Sequence, residues 1–347
     1  MDPHHAPRAP GAEPVAIVGL GPVSVLGVGA AALAAAISPA ALAGATPTAG
    51  FRGIEGFDVS DHVALRTQCL DLASGMTLAA TALAMDDAGW RREPADATRT
   101  GMVLGTTHGN GTVLREYLGA EKVGPLRFVH TFINAPAGLT SQVLALRGAH
   151  ALLCSGHLAG LQAIRFGCHL LRSGKADRIL CGGVDSLRIR AGGGREVEAP
   201  CGEGAGVLAL RRGGEGPGRV YAEVVGAGAA SARALGPEII SCAMQRALGA
   251  AQLTSDQLDL VVLATAQASR DGDLERAALR GAGIAEDRWL DLATHTGEIG
   301  AAHGGLAAIA ASLLLGRGRP GRHVLVMGLD RSQCNAMILR GADHVRA

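Results

Sequence analysis

The run Cys154-Ser-Gly-His157 offers two side chains able to carry an acyl group, a thiol as a thioester or an imidazole as an acyl-imidazole. An acyl-imidazole hydrolyses readily, so His157 suits hydrogen bonding or space filling better than storage of a growing chain. His295 and His303 invite a metal or acid/base reading, yet no carboxylate or cysteine stands at ligand spacing on an expected helix, and packing or loop roles are expected for both. The seven cysteines are odd in number and contain no CxxC pair, which suggests neither a disulfide framework nor a zinc site and fits a reducing cytoplasm. Gly19-Leu-Gly21 could open a nucleotide-binding turn. It lacks the third glycine of the dinucleotide fingerprint, and no acidic residue follows at the expected distance.

These groups need elements to hold them. Residues 1–14 read as a disordered leader. The β-branched run from Val15, stopped by glycine at Gly21, reads as a buried strand. Further strands are expected at Met102–Leu104 and Arg178–Cys181, with helices over Met76–Gly89 and Gly160–Arg172. In the second half, strands are expected at Tyr221–Gly228, Leu258–Leu263 and His323–Met327, and helices at Ile239–Gly249 and Gly305–Leu315. At an offset of 145 residues the 26 positions from Gly160 to Asp185 align without a gap on Gly305 to Asp330, and nine pairs are identical, including Arg172/Arg317 and Asp185/Asp330. The first strands also match, Val18-Gly-Leu-Gly21 with Val225-Gly-Ala-Gly228. The chain is therefore expected to be an internal duplication of one α/β unit, residues 15–215 and 216–347, with a site between the halves.

Composition excludes several classes. The 347 residues include 51 glycines, about twice the usual share of roughly 7%, with no three-residue period, which excludes collagen. A net charge of +1 on a chain that is 48% apolar excludes disorder and, with basic residues scattered rather than striped, nucleic-acid binding. The uncharged run from Pro14 to Phe51 is interrupted by Pro22, Pro39 and many Gly, Ser and Thr, so neither a membrane span nor export is expected. Only 3% of residues are aromatic, so the core must be filled by Ala, Val, Leu and Ile.

The segment Cys154 to Ile164, Ser173-Gly-Lys-Ala-Asp177, Cys181-Gly-Gly-Val-Asp-Ser186, Gly202-Glu-Gly-Ala-Gly206 and Cys334-Asn-Ala336, taken in order, resembles the β-ketoacyl synthases from about Val15 to Leu339. The resemblance implies a thiolase-like α/β fold in five αβαβα layers, with two pseudo-twofold-related halves. It places His157 where the family has its nucleophilic cysteine, Thr265 and Glu298 where it has its two active-site histidines, and Arg331 near its gating phenylalanine. Asp273 keeps a downstream acidic residue, and Ala293 stands for a lysine. A carboxylate at Glu298 would repel the enolate that the family's histidine stabilises. The gap between Ser186 and Gly202 is also shorter than the loop that covers synthase active sites.

With these losses the chain is similar to the ketosynthase chain-length factors, the non-catalytic subunits of type II polyketide synthases, although His157 departs from the glutamine common there. The resemblance implies a heterodimer with a catalytic ketosynthase, substrates carried on the phosphopantetheine of an acyl carrier protein, and no cofactor or metal of the chain's own. In relatives, bulky side chains of a helix after the third strand and of the segment before the nucleophile plug the tunnel at the dimer interface. Their counterparts are Thr112, Val113, Glu116 and Tyr117, and Val129, His130, Thr131, Phe132 and Ile133, with Tyr117 and Phe132 preferred and ordinary core packing as the alternative. The rival reading is an active condensing enzyme, or a malonyl carrier-protein decarboxylase, using His157 or Cys154.

Overall fold

The computed structural model describes residues 13–38, 50–64, 70–91, 97–121, 124–188, 200–213, 216, 218–234, 236–265, 270–317 and 321–342. Most of the expected leader and of the short covering segment lies outside these. Glu13 and Pro14, assigned above to the leader, are already anchored: the Pro14 carbonyl accepts from Gly213 N at 2.9 Å, and the Glu13 carbonyl accepts from Arg172 Nε at 3.0 Å.

The strands are β1 (Val15–Ser24), β2 (Gly27–Val28), β3 (Phe51–Arg52), β4 (Thr100–Gly105), β5 (His150–Leu153), β6 (Arg178–Ser186), β7 (Cys201–Arg212), β8 (Ala222–Ser231), β9 (Leu260–Leu263), β10 (Trp289–Asp291), β11 (His323–Asp330) and β12 (Gln333–Gly341). The helices are α1 (Ala30–Ala36), α2 (Leu72–Asp87), α3 (Gly111–Gly119), α4 (Pro125–Val129), α5 (Ala135–Val143), α6 (Ala159–Arg172), α7 (Pro237–Ala251), α8 (Arg270–Gly281), α9 (Ala293–Thr296) and α10 (Ala302–Gly316). The long strands run in the order β10-β9-β11-β12-β8-β1-β7-β6-β4-β5. Cut between β8 and β1, this is the same five-strand order twice. In each half the fifth strand, β7 or β12, is antiparallel to its neighbours while the three before it pair in parallel. The halves join where Val15–Ile17 pairs antiparallel with Ala222–Val224.

Burial follows the period of two along each strand. Ile179 and Cys181 of β6 face the middle of the molecule, as do Met337 and Leu339 of β12. Leu180 and Val184 face outward onto α2, and Ile338 outward onto α7. α6 and α10 lie between the two half-sheets and touch each other, which gives the five αβαβα layers and the thiolase-like fold. α10 is apolar all round and buried from Ala302 to Leu313, as a helix enclosed on every side must be. α6 carries Arg165, Phe166 and His169 on an exposed stripe.

The 145-residue offset superposes corresponding parts of the fold, since α6–β6 and α10–β11 are the same helix–strand unit of each half. The glycines in these units serve packing. A Cβ on Gly160 or on Gly183 would stand 2.1 Å from the Ala301 carbonyl oxygen. Gly182 and Gly183 therefore do not end the strand expected over Arg178–Cys181; it continues to Ser186, Gly183 letting the start of α10 press onto it and Gly182 lying against the backbone of Gly206 in β7. Other boundaries also move. α2 begins at Leu72, before the expected Met76, because Asp71 caps it by accepting from Ser74 N at 2.9 Å. β7, β12, β5 and α8 had no counterpart in the periodicity reading.

Gly183→Ala should lower stability by about 3 kcal/mol, the upper end of the usual overpacking cost, since the neighbouring atom is backbone and cannot yield. Gly249→Ala in α7, where a Cβ meets nothing within 4 Å, should be neutral or stabilising by about 0.5–1 kcal/mol. Denaturant midpoints of the two variants test this.

Candidate functional site

The site forms where the C-terminal ends of β6 and β11 meet the starts of α6 and α10. Asp185, at the end of β6, is fully buried and accepts from Thr106 Oγ1 (2.9 Å), Thr107 N (2.8 Å), His108 N (2.9 Å) and Ala301 N (2.7 Å). It thereby fixes both the loop after β4 and the residue preceding α10. Asp330, its counterpart at the end of β11, accepts from His157 N at 2.8 Å, just before α6. Glycines with positive φ, Gly156 (76°) and Gly300 (56°), precede the two donors, and a Cβ on either would strike the carboxylate. Each half's strand thus holds the start of the other half's central helix.

His157 stands at the head of α6 with its Nε2 3.0 Å from Glu298 Oε1. Both side chains are mostly buried, and the Glu298 backbone is pinned by Glu298 N to Pro200 O (2.9 Å) and by Gly202 N to Glu298 O (2.8 Å). Behind them His303 is fully buried in α10, its Nε2 3.2 Å from Thr296 Oγ1. The Thr296 hydroxyl hydrogen faces the carbonyls of Leu292 and Gly297, which leaves its oxygen to accept from a neutral His303. Burial, with His157 adding a smaller repulsion, pushes the His303 pKa down to about 3. Among the described residues no group of three or more His, Cys, Asp or Glu could hold a metal ion.

Thr265, at the end of β9, is buried and uses its hydroxyl to accept from Leu329 N at 2.8 Å, a contact that secures β11. Arg331 is exposed at φ 55° in the two-residue turn between β11 and β12, which pair as far as Asp330 and Gln333, so a tight hairpin occupies the expected gating-loop position. Cys154 is exposed beyond β5, and desolvation, followed by the charge of Asp185, raises its thiol pKa. That is the opposite of an activated nucleophile. Asp273 lies on the solvent face of α8; the buried carboxylate of that helix is Glu275, which the sequence reading passed over. A cleft of about 590 Å³ opens nearby between α6, α7 and β12, crossed by a hydrogen bond from Gln162 Nε2 to Gln333 Oε1 at 3.0 Å.

The candidate tunnel residues fall in one region. Thr112, Val113, Glu116 and Tyr117 lie on α3, Val129 ends α4, and His130, Thr131, Phe132 and Ile133 lead into α5. Val129, Phe132 and Ile133 are 51%, 49% and 43% exposed, so they do not pack the core, and core packing fails as their explanation. Phe128, absent from the sequence-based candidates, is the middle ring of a chain with Tyr117 (5.8 Å) and Phe132 (5.0 Å). Leu114 and Leu118 extend the same exposed apolar patch. Its attachment is polar: His130 Nδ1 lies 3.2 Å from Asp71 Oδ2, and Asn110 Nδ2 donates to His130 O at 2.8 Å. β5, next to α5 through a Ser141–His150 hydrogen bond, is one of the two edge strands of the sheet among the described residues, β10 being the other.

Residues 39–195 match the family profile of the β-ketoacyl synthase N-terminal domain. The solved structures most relevant to the fold include the ishigamide ketosynthase/chain length factor, at TM-score 0.81 and 24% identity over 95% of this chain and 100% of that one. A type II polyketide synthase acyl-carrier protein in complex with its ketosynthase bound to the hexaketide matches at TM-score 0.77 and 16% identity, over 95% and 100%. A β-ketoacyl synthase from Burkholderia phymatum STM815 matches at 0.75 and 20%, over 96% and 100%. No curated protein matches the chain. Residues 39–195 thus match the β-ketoacyl synthase family, and the chain as a whole has the ketosynthase fold. Among the described residues no helix is long and apolar enough to cross a membrane.

The neutral, buried His303 sets an acid limit on stability. Its folded pKa lies below the unfolded value of about 6.5, so there is no effect above that pH. As pH falls below it the unfolded state gains a proton that the folded state refuses, down to about 3. Urea midpoints should show His303→Gln losing about 2 kcal/mol less than the unsubstituted chain between pH 7 and pH 4.5.

Proposed function

We propose that this chain is the non-catalytic chain-length factor of a type II polyketide synthase, paired with a catalytic ketosynthase that supplies the nucleophile and receives acyl and malonyl units from an acyl carrier protein. The observation that carries the reading is the head of α6, where an imidazole faces a carboxylate at 3.0 Å, the sequence resemblance assigning a reactive thiol to the position of that imidazole. An acyl group on His157 would be short-lived, and Glu298 would oppose an enolate. The raised pKa of Cys154 and the hairpin at Arg331 point the same way. The apolar patch beside the open edge of β5 supplies a surface for the partner, at which Thr112, Val113, Glu116, Tyr117, Val129, Thr131, Phe132 and Ile133 would border the tunnel.

A second reading draws on the same pair, because a histidine within 3.0 Å of a carboxylate is also an acid–base arrangement able to assist malonyl decarboxylation. One experiment separates the two. The chain is co-expressed with its ketosynthase and exposed to an acyl thioester, and the subunits are weighed by intact mass. The partner should be acylated and this chain unchanged, and His157→Ala should leave carbon dioxide release from malonyl carrier protein within about twofold. An acyl adduct on Cys154 or His157, or loss of decarboxylation in the variant, would overturn the chain-length reading.

Phe132→Ala should lengthen the product by one or more two-carbon units while the complex keeps its melting temperature within a few degrees, because the ring is half exposed in the isolated subunit. Product mass against thermal shift checks the two outcomes together.

A further inference from the structure

Past Val224 the two half-sheets part. β8 is central in the strand order, yet its pairing with β1 is confined to Ala222–Val224, and from Val225 to Ser231 that side of it carries no strand among the described residues. Arg172 of α6 closes one end of the gap by donating to Val224 O at 3.1 Å. Beyond this point lies the cleft of about 590 Å³ between α6, α7 and β12, whose lining includes Ala229, Ala230 and Ser231. Its two walls belong to different layers. Gly226 and Gly228 face outward, where a Cβ would strike carbonyl oxygens of α7, and Ala230 packs on the same side. Ala229 and Ser231 therefore turn to the middle of the molecule, where α6 supplies Gln162 and Arg165, while α7 supplies Glu238, Cys242 and Arg246 from the outer side. The cleft thus straddles the free edge of β8, in the place of a further strand.

This edge presents bonding groups. Ala232 N donates to Ser332 O at 3.0 Å, on the β12 side, so the alternation of an antiparallel pair directs the N–H and C=O of Ala229 and Ser231 the other way, into the cleft. Arg246 agrees with that direction: its stem lies against Gly228 and its guanidinium reaches over the edge to Ala229 O at 2.6 Å. Arg165, on the opposite wall, is exposed and forms no ion pair among the described residues. Glu238, the carboxylate of the cleft, is folded back on Gly236 at the start of its own helix, where the helix dipole favours it. The balance suits an anionic occupant. Asn335, only 3% exposed, adds to the lining an amide whose Oδ1 is buried with no hydrogen-bond partner, an acceptor for a donor on that occupant.

We propose that this edge takes up an extended acidic segment of a partner protein, which adds to β8 as a strand. An incoming N–H replaces Arg246 at Ala229 O. Successive side chains of a strand point to opposite faces, so two consecutive acidic residues meet Arg165 on one wall and the released Arg246 on the other. The surface is separate from the aromatic patch of α3 to α5 and from β5, which lies at the far end of the strand order.

Fluorescence anisotropy of a labelled peptide, Thr-Val-Glu-Glu-Val-Thr, titrated with the full chain tests the proposal. Saturable one-to-one binding in the micromolar range is expected. Gln-Gln in place of Glu-Glu, or Arg165→Gln in the protein, should weaken it about tenfold. Ser231→Pro, which removes an outward N–H and no ladder bond, should weaken it as much, and its melting temperature without peptide checks that the variant folds. A peptide N-methylated at both glutamates leaves the protein untouched and should lose binding. At saturation the half-buried Cys242 should react more slowly with N-ethylmaleimide, as located by peptide mass, whereas the N-methylated peptide should leave its rate unchanged. Absence of saturable binding, equal binding of the Gln-Gln or the N-methylated peptide, undiminished binding in Arg165→Gln, or an unslowed Cys242 would each overturn the proposal.

Discussion

Asp185 and Asp330, 145 residues apart in the chain, each end the fourth strand of one half and hold the start of the other half's central helix. A helix start buried between two sheets carries N–H groups that water cannot reach, and a carboxylate is a strong acceptor for them. The exchange also determines where the chemistry of the site can be. It sets the backbone of His157 and brings its ring to Glu298, while the bond to Ala301 anchors the start of α10, from which His303 projects. Arg172 and Arg317 repeat the exchange at the other ends of these helices, donating to Val224 O at 3.1 Å and to Ala34 O at 3.2 Å.

Such a clamp works only if the layers come close, and this accounts for the composition. Where α6, α10 and β6 cross, the Ala301 carbonyl occupies the space a side chain would need at Gly160 and Gly183. The helices between the sheets are correspondingly Ala, Gly and Leu, and the core has little need of rings. The few aromatics are thus available elsewhere, and three of them, Tyr117, Phe128 and Phe132, gather on one surface beside the open sheet edge. An apolar patch on such a surface is a cost in an isolated subunit and a gain in a complex, which is why it bears on function.

Much of the fold was legible in the chain. The β-branched runs mark β1, β4, β9 and β11, and the repeat identifies equivalent units because its shared polar residues do the same task in both halves. Gly182 and Gly183 misled as strand ends, since a glycine selected for close packing and one selected for a turn are the same residue. β7 escaped because Cys201–Gly206 is too rich in glycine to show a period of two, and β5 because its four residues include an exposed His150. The family resemblance singles out His157, Thr265, Glu298 and Arg331, but spacing alone does not say which of them meet.

The sequence by itself determined the duplicated α/β plan, the presence of an imidazole and a carboxylate where the resemblance expects a thiol and a histidine, and the scarcity of large side chains, because these are properties of residue type and order. Tertiary structure decided the rest. His157 meets Glu298 while Thr265 turns away to support β11, Phe132 lies at the surface rather than in the core, and Glu275 rather than Asp273 is the buried acid. The reason is that burial and distance depend on which face of which layer a residue occupies. That is set by contacts between segments 79 to 173 residues apart, to which no local pattern responds.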